Sequence, residues 1–248
     1  METHAHHLHH APGKKFWHYF YEFLMLFLAV FCGFLAENKR EHLVEARREK
    51  QYMKSFAEDL DADIVYMEVS LTNFNETIKK ADSLIVLLDK ADKKESANDI
   101  YYFFRTVTRH FAFGVNDRTI IQLRNAGDMR LISNKSVSDT IVRYYHDVDS
   151  IQYLDDRLIE GLDKFYPFLD KLLDGIDYGK LTDTANNIVL RVNEPLKLRT
   201  TDDETINSAI LHVQRHINVI IAIKLAVKRL KERANVTRQF ILKEYHLE

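Results

Sequence analysis

Between residues 34 and 113 this chain contains neither glycine nor proline, and all 248 residues hold only seven glycines and three prolines. Glycine and proline punctuate helices and make turns. A chain so poor in them is expected to fold as a few long helices joined by short connectors. The length leaves room for a tail, one membrane span and one sizeable soluble domain. The expected fold class is therefore all-α.

Residues 16–36 (FWHYFYEFLMLFLAVFCGFLA) form the one stretch apolar and long enough to cross a bilayer. Crossing takes about 20 mostly apolar residues at about 1.5 Å rise each. Phe16, Trp17, Tyr19 and Tyr21 stand at one end, where an interfacial aromatic belt belongs. A signal peptide would also show a basic start (Lys14, Lys15) and an apolar core, followed by a small-x-small cleavage site. Here the charged, helix-forming run Glu37-Asn38-Lys39-Arg40-Glu41 follows, which favours an uncleaved single-pass anchor. The expected organisation is a tail over 1–15, a transmembrane helix over 16–36 and a helical soluble domain over 37–248. A stiff helix leaving the bilayer is expected, nearly continuous with the span.

His18 and Glu22 lie four apart within the span and share a helix face with Met25, Ala29, Cys32 or Gly33, and Ala36. The stripe is polar at one end and small at the other. Small residues at Ala29-x-x-x-Gly33 spacing let helices approach closely. Three readings compete for it: two interfacial anchors, a self-associating stripe, or a ring of His18 and Glu22 lining an ion or proton path. Phe20, Phe23, Phe27, Phe31 and Phe34 suit lipid on the other faces.

Lysine and arginine (35) nearly balance aspartate and glutamate (37). No basic excess is available to hold phosphates, so no nucleic-acid partner is expected. The one cysteine, Cys32, lies in the span and excludes an intrachain disulfide. Two bases precede the span within the tail, and five (Lys39, Arg40, Arg47, Arg48, Lys50) follow it closely. That bias favours a cytoplasmic domain and a bacterial inner-membrane location. The tail carries His4, His6, His7, His9 and His10. These could gather a zinc, copper or nickel ion, or form a disordered tail that becomes cationic below about pH 6.5. No cofactor is expected.

A seven-residue repeat runs through Met53, Ala57, Leu60, Ile64, Met67, Leu71, Phe74, Ile78, Ala81, Ile85 and Leu88. It predicts a helix packed in the chain's own bundle or in a coiled coil between copies, the first being favoured. Residues 91–98 read as a turn, 99–111 and 118–125 as helices, and Asn116 or Asp117 as a cap. Gly127 fits a left-handed stop. Ser136 or Ser138 is expected to cap a helix reaching about residue 165, with Pro167 kinking or restarting it. Residues 176–200 read as the least helical part, with a possible strand over 188–192. Thr201 or Asp202 is expected to cap the last helix. Its apolar stretch 218–227 is too short to span.

Catalytic signals are sparse. Asp59, Asp61 and Asp63 with Glu58 read as a solvated helix face, as do Asp155, Asp156, Asp163 and Asp170. No Glu-x-x-His pair, phosphate loop or nucleophile elbow accompanies them. Arg105-x-x-x-x-His110 has the spacing of the motif in HEPN-type ribonucleases, which are all-helical, with Thr106 where a polar residue often follows the arginine. Residues 18–42, 48–64 and 118–145 together resemble a family of uncharacterised single-pass membrane proteins common in the Bacteroidetes. The resemblance implies an anchor and a helical domain, and carries no activity or catalytic residue.

The function expected is a membrane-anchored, non-enzymatic scaffold, sensor or adaptor that self-associates. Its expected partners are lipid, further copies of itself and an unidentified protein. The alternatives are a pore lined by Glu22 and His18, and a membrane-tethered ribonuclease using Arg105 and His110.

Overall fold

The computed structural model describes residues 12–90, 93 and 95–247, and the side chains of these from 16 onward. The histidine-rich tail with His4, His6, His7, His9 and His10 lies outside the described residues. The fold is all-α. Among the described residues it comprises helices α1 (Pro12–Asp89), α2 (Ala97–Val107), α3 (Arg118–Asn125), α4 (Lys135–Leu172), α5 (Gly175–Gly179) and α6 (Asp203–Tyr245). A 3-10 turn covers Asp128–Leu131, and two short strands, β1 (Thr182–Asp183) and β2 (Ile188–Val189), pair antiparallel. The chain divides into two compact units, Met1–Gln51 and Tyr52–Glu248.

In the first unit nearly every side chain from 16 to 48 is exposed, and no described residue is buried before Glu49. Phe23, Phe27 and Phe31 stack face to face along one side of the helix, with centroids 6.3 and 5.9 Å apart. Beyond the apolar run, Arg40 pairs with Glu37 at 2.8 Å and His42 approaches Glu45 at 3.6 Å. Both contacts join residues three apart, neighbours on a helix surface.

The second unit is built on the long helices α4 and α6 and the C-terminal part of α1. The seven-residue repeat of α1 is buried or half-buried at every position, inside the chain's own core. α6 supplies its antiparallel partner. Asp61 pairs with Arg238 at 2.5 Å, Glu68 with Lys231 at 2.7 Å, and Asn75 with Lys224 at 3.2 Å. Both sets step by seven residues in opposite directions, so the polar groups flanking the apolar seam keep its register. One core cluster gathers Met53, Phe56, Leu60, Tyr144, Ile151 and Ile223. A second gathers Leu84, Leu88, Phe104, Phe165, Leu172 and Val213.

Several local expectations shift. α4 is capped by Asn134, whose Oδ1 accepts from the amides of Ser136 and Val137, rather than by a serine. It runs through Pro167 to Leu172, because proline forfeits one internal bond while Phe165, Leu169 and Leu172 keep that end buried. α2 ends at Val107, four residues short of the expected end. The strand at 188–189 finds its partner in 182–183. α3 has its expected bounds, Gly127 takes φ 69°, and Asp202 caps α6 by accepting from the Thr205 amide at 2.9 Å. α6 is, by composition and length, a second helix able to cross a bilayer, so its apolar stretch is not too short. What marks it as a core helix is its buried side, from Ile206 through Val213 and Ile220 to Ile241.

The weakly helical segment 174–199 is held by one face of α2. Asn98 donates to the carbonyls of Val192 and Glu194 at 2.9 and 2.8 Å and accepts from the Leu196 amide at 2.9 Å. Tyr101 donates to the Lys197 carbonyl at 2.8 Å and accepts from the Asp174 amide at 2.6 Å. Arg105 reaches the Tyr178 hydroxyl at 3.1 Å and the Thr182 hydroxyl at 3.2 Å. These three residues at i, i+3 and i+7 form a clamp. Tyr101→Phe leaves two backbone groups without a partner, at a cost of about 1–3 kcal/mol. Limited proteolysis is expected to cut within 174–199 faster in this variant. An unchanged cleavage rate would mean that the clamp does not order the segment.

Candidate functional site

Residues 108–117 have no regular structure, yet they cross the unit between α2 and α3. Backbone in such a stretch needs partners from elsewhere. Two buried carboxylates, Asp155 and Asp63, take two of its amides, the hydroxyls of Tyr66 and Tyr145 reach the carbonyls of Ala112 and Asn116, and a third carboxylate, Asp59, holds the start of the helix that follows. Asp155 of α4 accepts from His110 Nε2 at 2.9 Å and from the Phe113 amide at 3.4 Å. Asp63 of α1 accepts from the Asn116 amide at 2.7 Å, the Asn116 side-chain amide at 2.8 Å and the Tyr144 hydroxyl at 2.7 Å. Asp59 accepts from Arg118 at 2.7 Å, from the Thr119 amide at 3.2 Å and from the Thr119 hydroxyl. It thereby satisfies one amide in the first turn of α3, whose own N-cap, Asp117, makes no side-chain capping bond.

This corrects the reading of Asp59, Asp63 and Asp155 as solvated. Asp59 is 4% exposed and Asp63 1% exposed. A carboxylate in such a place has to be hydrogen-bonded, and these are. Burial raises the Asp63 carboxyl above its usual range, while the bonds from Asn116 and Tyr144 oppose that rise. Asp61 keeps an exposed side, paired to Arg238. A fourth acid, Asp128, anchors the turn after Gly127 by accepting from the Tyr52 hydroxyl at 2.8 Å.

Between α1, the irregular segment and α6 lies a cleft of about 260 Å³. Val69 and Phe74 of α1, Phe111 and Phe113 of the segment, Leu158 of α4 and Ile220 of α6 make it mostly apolar. Its polar groups are few: Arg109, His110, His216, the side chains of Ser70, Asn73 and Thr77, and the Tyr66 hydroxyl, which donates to the Ala112 carbonyl. The hydroxyls of Ser70 and Thr77 donate to their own helix, to the carbonyls of Tyr66 and Asn73. The Arg109 guanidinium lies 4.9 Å over the Phe111 ring. His216 is 8% exposed, and one of its ring nitrogens bonds the Val107 carbonyl at 3.1 Å. Burial brings its pKa down to about 4, which keeps it neutral. Leu158 and His216 also wall a second groove of about 360 Å³ between α4 and α6, where His212 stacks on Phe165 with centroids 5.1 Å apart.

Arg105 and His110, paired by sequence spacing, line different clefts. Arg105 belongs to the clamp on 174–199, beside Tyr178, and His110 to the apolar cleft beside Asp155. In the first unit His18, Glu22, Ala29, Gly33 and Ala36 are all exposed along the helix. No ion pair joins His18 to Glu22 among the described residues, and a Cβ on Gly33 would meet nothing within 4 Å. No group of three or more His, Cys, Asp or Glu able to hold a metal occurs among the described residues.

Arg109 and His216 as cleft residues, and the three aspartates as anchors, are absent from the sequence reading. Their only sequence signal is an arginine and a histidine in a stretch of aromatics (RHFAF) between two helices. Comparison with protein-family models, with curated proteins and with solved structures found no match to this chain.

Proposed function

We propose that this is a membrane-anchored, non-enzymatic helical protein, a scaffold, sensor or adaptor whose span positions the second unit beside a bilayer. One observation carries the reading. The helix running on from Phe16 holds an apolar window of which no part is buried within the chain, and Trp17, Phe23, Leu26, Phe27, Val30 and Phe34 all stand exposed. Leaving that much apolar surface in water is unfavourable by about 25 cal/mol per Å², and lipid removes it. The bases after residue 36 favour the cytoplasmic face of a bacterial inner membrane. The resemblance to the single-pass family of the Bacteroidetes agrees with an anchor. The non-enzymatic part is supported by the polar groups of the second unit, since Arg105 and His110 are bonded to side chains of the unit itself and the buried aspartates accept from its backbone amides.

Alkaline carbonate extraction of membranes tests the anchor. The full chain is expected to stay with the membrane pellet, and release to the supernatant overturns the reading. Self-association through Ala29, Gly33 and Ala36 is tested by the mass of the protein in detergent. An oligomer that becomes a monomer when Ala29 and Gly33 are both changed to leucine places assembly on the stripe. A wild-type monomer removes both the assembly and any pore of His18 and Glu22 that depends on it.

A further inference from the structure

We propose that the cleft between α1, residues 109–113 and α6 binds a small monoanion with an apolar body, such as an aromatic carboxylate. This goes beyond the proposed function and does not depend on the anchor, since every residue lining the cleft lies between Tyr66 and Ile220.

Size comes first. A sealed apolar cavity of about 150 Å³ takes benzene. A cleft of about 260 Å³ has room for a ring with a short chain bearing its charged group. The walls suit the ring, because Phe74, Phe113, Leu158 and Ile220 are apolar and at least half-buried. Ligand sites are generally of this kind, mostly apolar with a few converging polar groups.

Charge decides the sign of the ligand. No carboxylate is among the described residues that line the cleft, and Asp155, which holds His110 from behind, also accepts from the Phe113 amide. His216 is neutral. Arg109 is half-buried at the rim, and no carboxylate lies within ion-pair distance of it among the described residues. Its guanidinium carbon lies 4.9 Å over the Phe111 ring, and a guanidinium's N–H edge suits a planar, two-oxygen acceptor. One uncompensated positive charge beside an apolar chamber selects a monoanion over a neutral or cationic molecule of the same shape. Asn73, on the α1 wall of the cleft, adds a side-chain amide that can donate to the same acceptor.

The experiment is calorimetric titration of the full chain in lipid nanodiscs with 4-phenylbutyrate and with its neutral amide, heats from empty nanodiscs being subtracted. The acid is expected to bind saturably, about tenfold more tightly than the amide, as one charge-assisted hydrogen-bond pair requires. Arg109→Gln is expected to abolish that preference while leaving the weaker, shape-driven binding. Val69→Trp, which fills the cleft from an exposed position on α1, is expected to block both probes. Absence of saturable heat from the acid, equal affinity for acid and amide, a preference that persists in Arg109→Gln, or binding that survives Val69→Trp would each overturn the assignment.

Discussion

Asp63→Ala is expected to lower the melting midpoint of the detergent-solubilised protein by about 10 °C. The change removes the acceptor of three hydrogen bonds and leaves the buried Tyr144 hydroxyl with none. Each orphaned buried group costs about 1–3 kcal/mol, giving about 4 kcal/mol in all, and each kcal/mol moves the midpoint of a domain this size by about 2–4 °C. Asp63→Asn is expected to cost about half as much, since it keeps one acceptor oxygen and removes a buried charge. The raised carboxyl pKa makes the same point. A carboxyl whose folded pKa lies above its unfolded one adds stability when protonated and loses that contribution as pH rises through the folded value. Mild acid therefore does not loosen the segment at Asp63. Equal midpoints for wild type and Asp63→Ala would show that the three bonds to Asp63 add nothing to the stability of the unit.

Acid acts instead at His216, with the opposite sign. Its pKa falls from 6.5 to about 4 on folding because burial penalises the imidazolium. A base with a depressed folded pKa contributes its full stability above pH 6.5, and that contribution drains away as pH falls toward 4. At about 1.4 kcal/mol per unit, about 3 kcal/mol is at stake over this window. Urea unfolding of His216→Gln, which keeps a donor for the Val107 carbonyl, is expected to lack this part of the pH dependence. A wild-type minus variant difference that stays constant from pH 7 to 4 would show that His216 carries no proton linkage.

How much of this was legible follows from the range of each interaction. The bounds of α3, the left-handed Gly127 and the Asp202 cap depend on residues within one turn of each other, and the sequence displays them. The repeat from Met53 to Leu88 was equally plain. Its partner was also written in the chain, as acids and an amide stepping by seven along α1 against bases stepping by seven along α6, but only the antiparallel register makes the two series one pattern. The roles of Asp59, Asp63 and Asp155 were not legible. A carboxylate on a helix has the same local sequence whether it faces water or a loop some fifty residues away. Asp63 and Asn116 are 53 residues apart, and Asp155 and His110 are 45 apart. Arg105 misled for the same reason. Its distance in sequence from His110 is short, but its partners, Tyr178 and Thr182, lie more than seventy residues on.

The two core clusters have a consequence for how the second unit comes apart. Each draws on α1, α4 and α6, the first near one end of these helices and the second near the other. No break lies between the clusters on any of the three. A fluctuation that melts one cluster must fray helices whose remaining turns still anchor the other. The landscape of the unit therefore has no stable half-folded basin, and a change at either end reaches the other through an equilibrium that all three helices share.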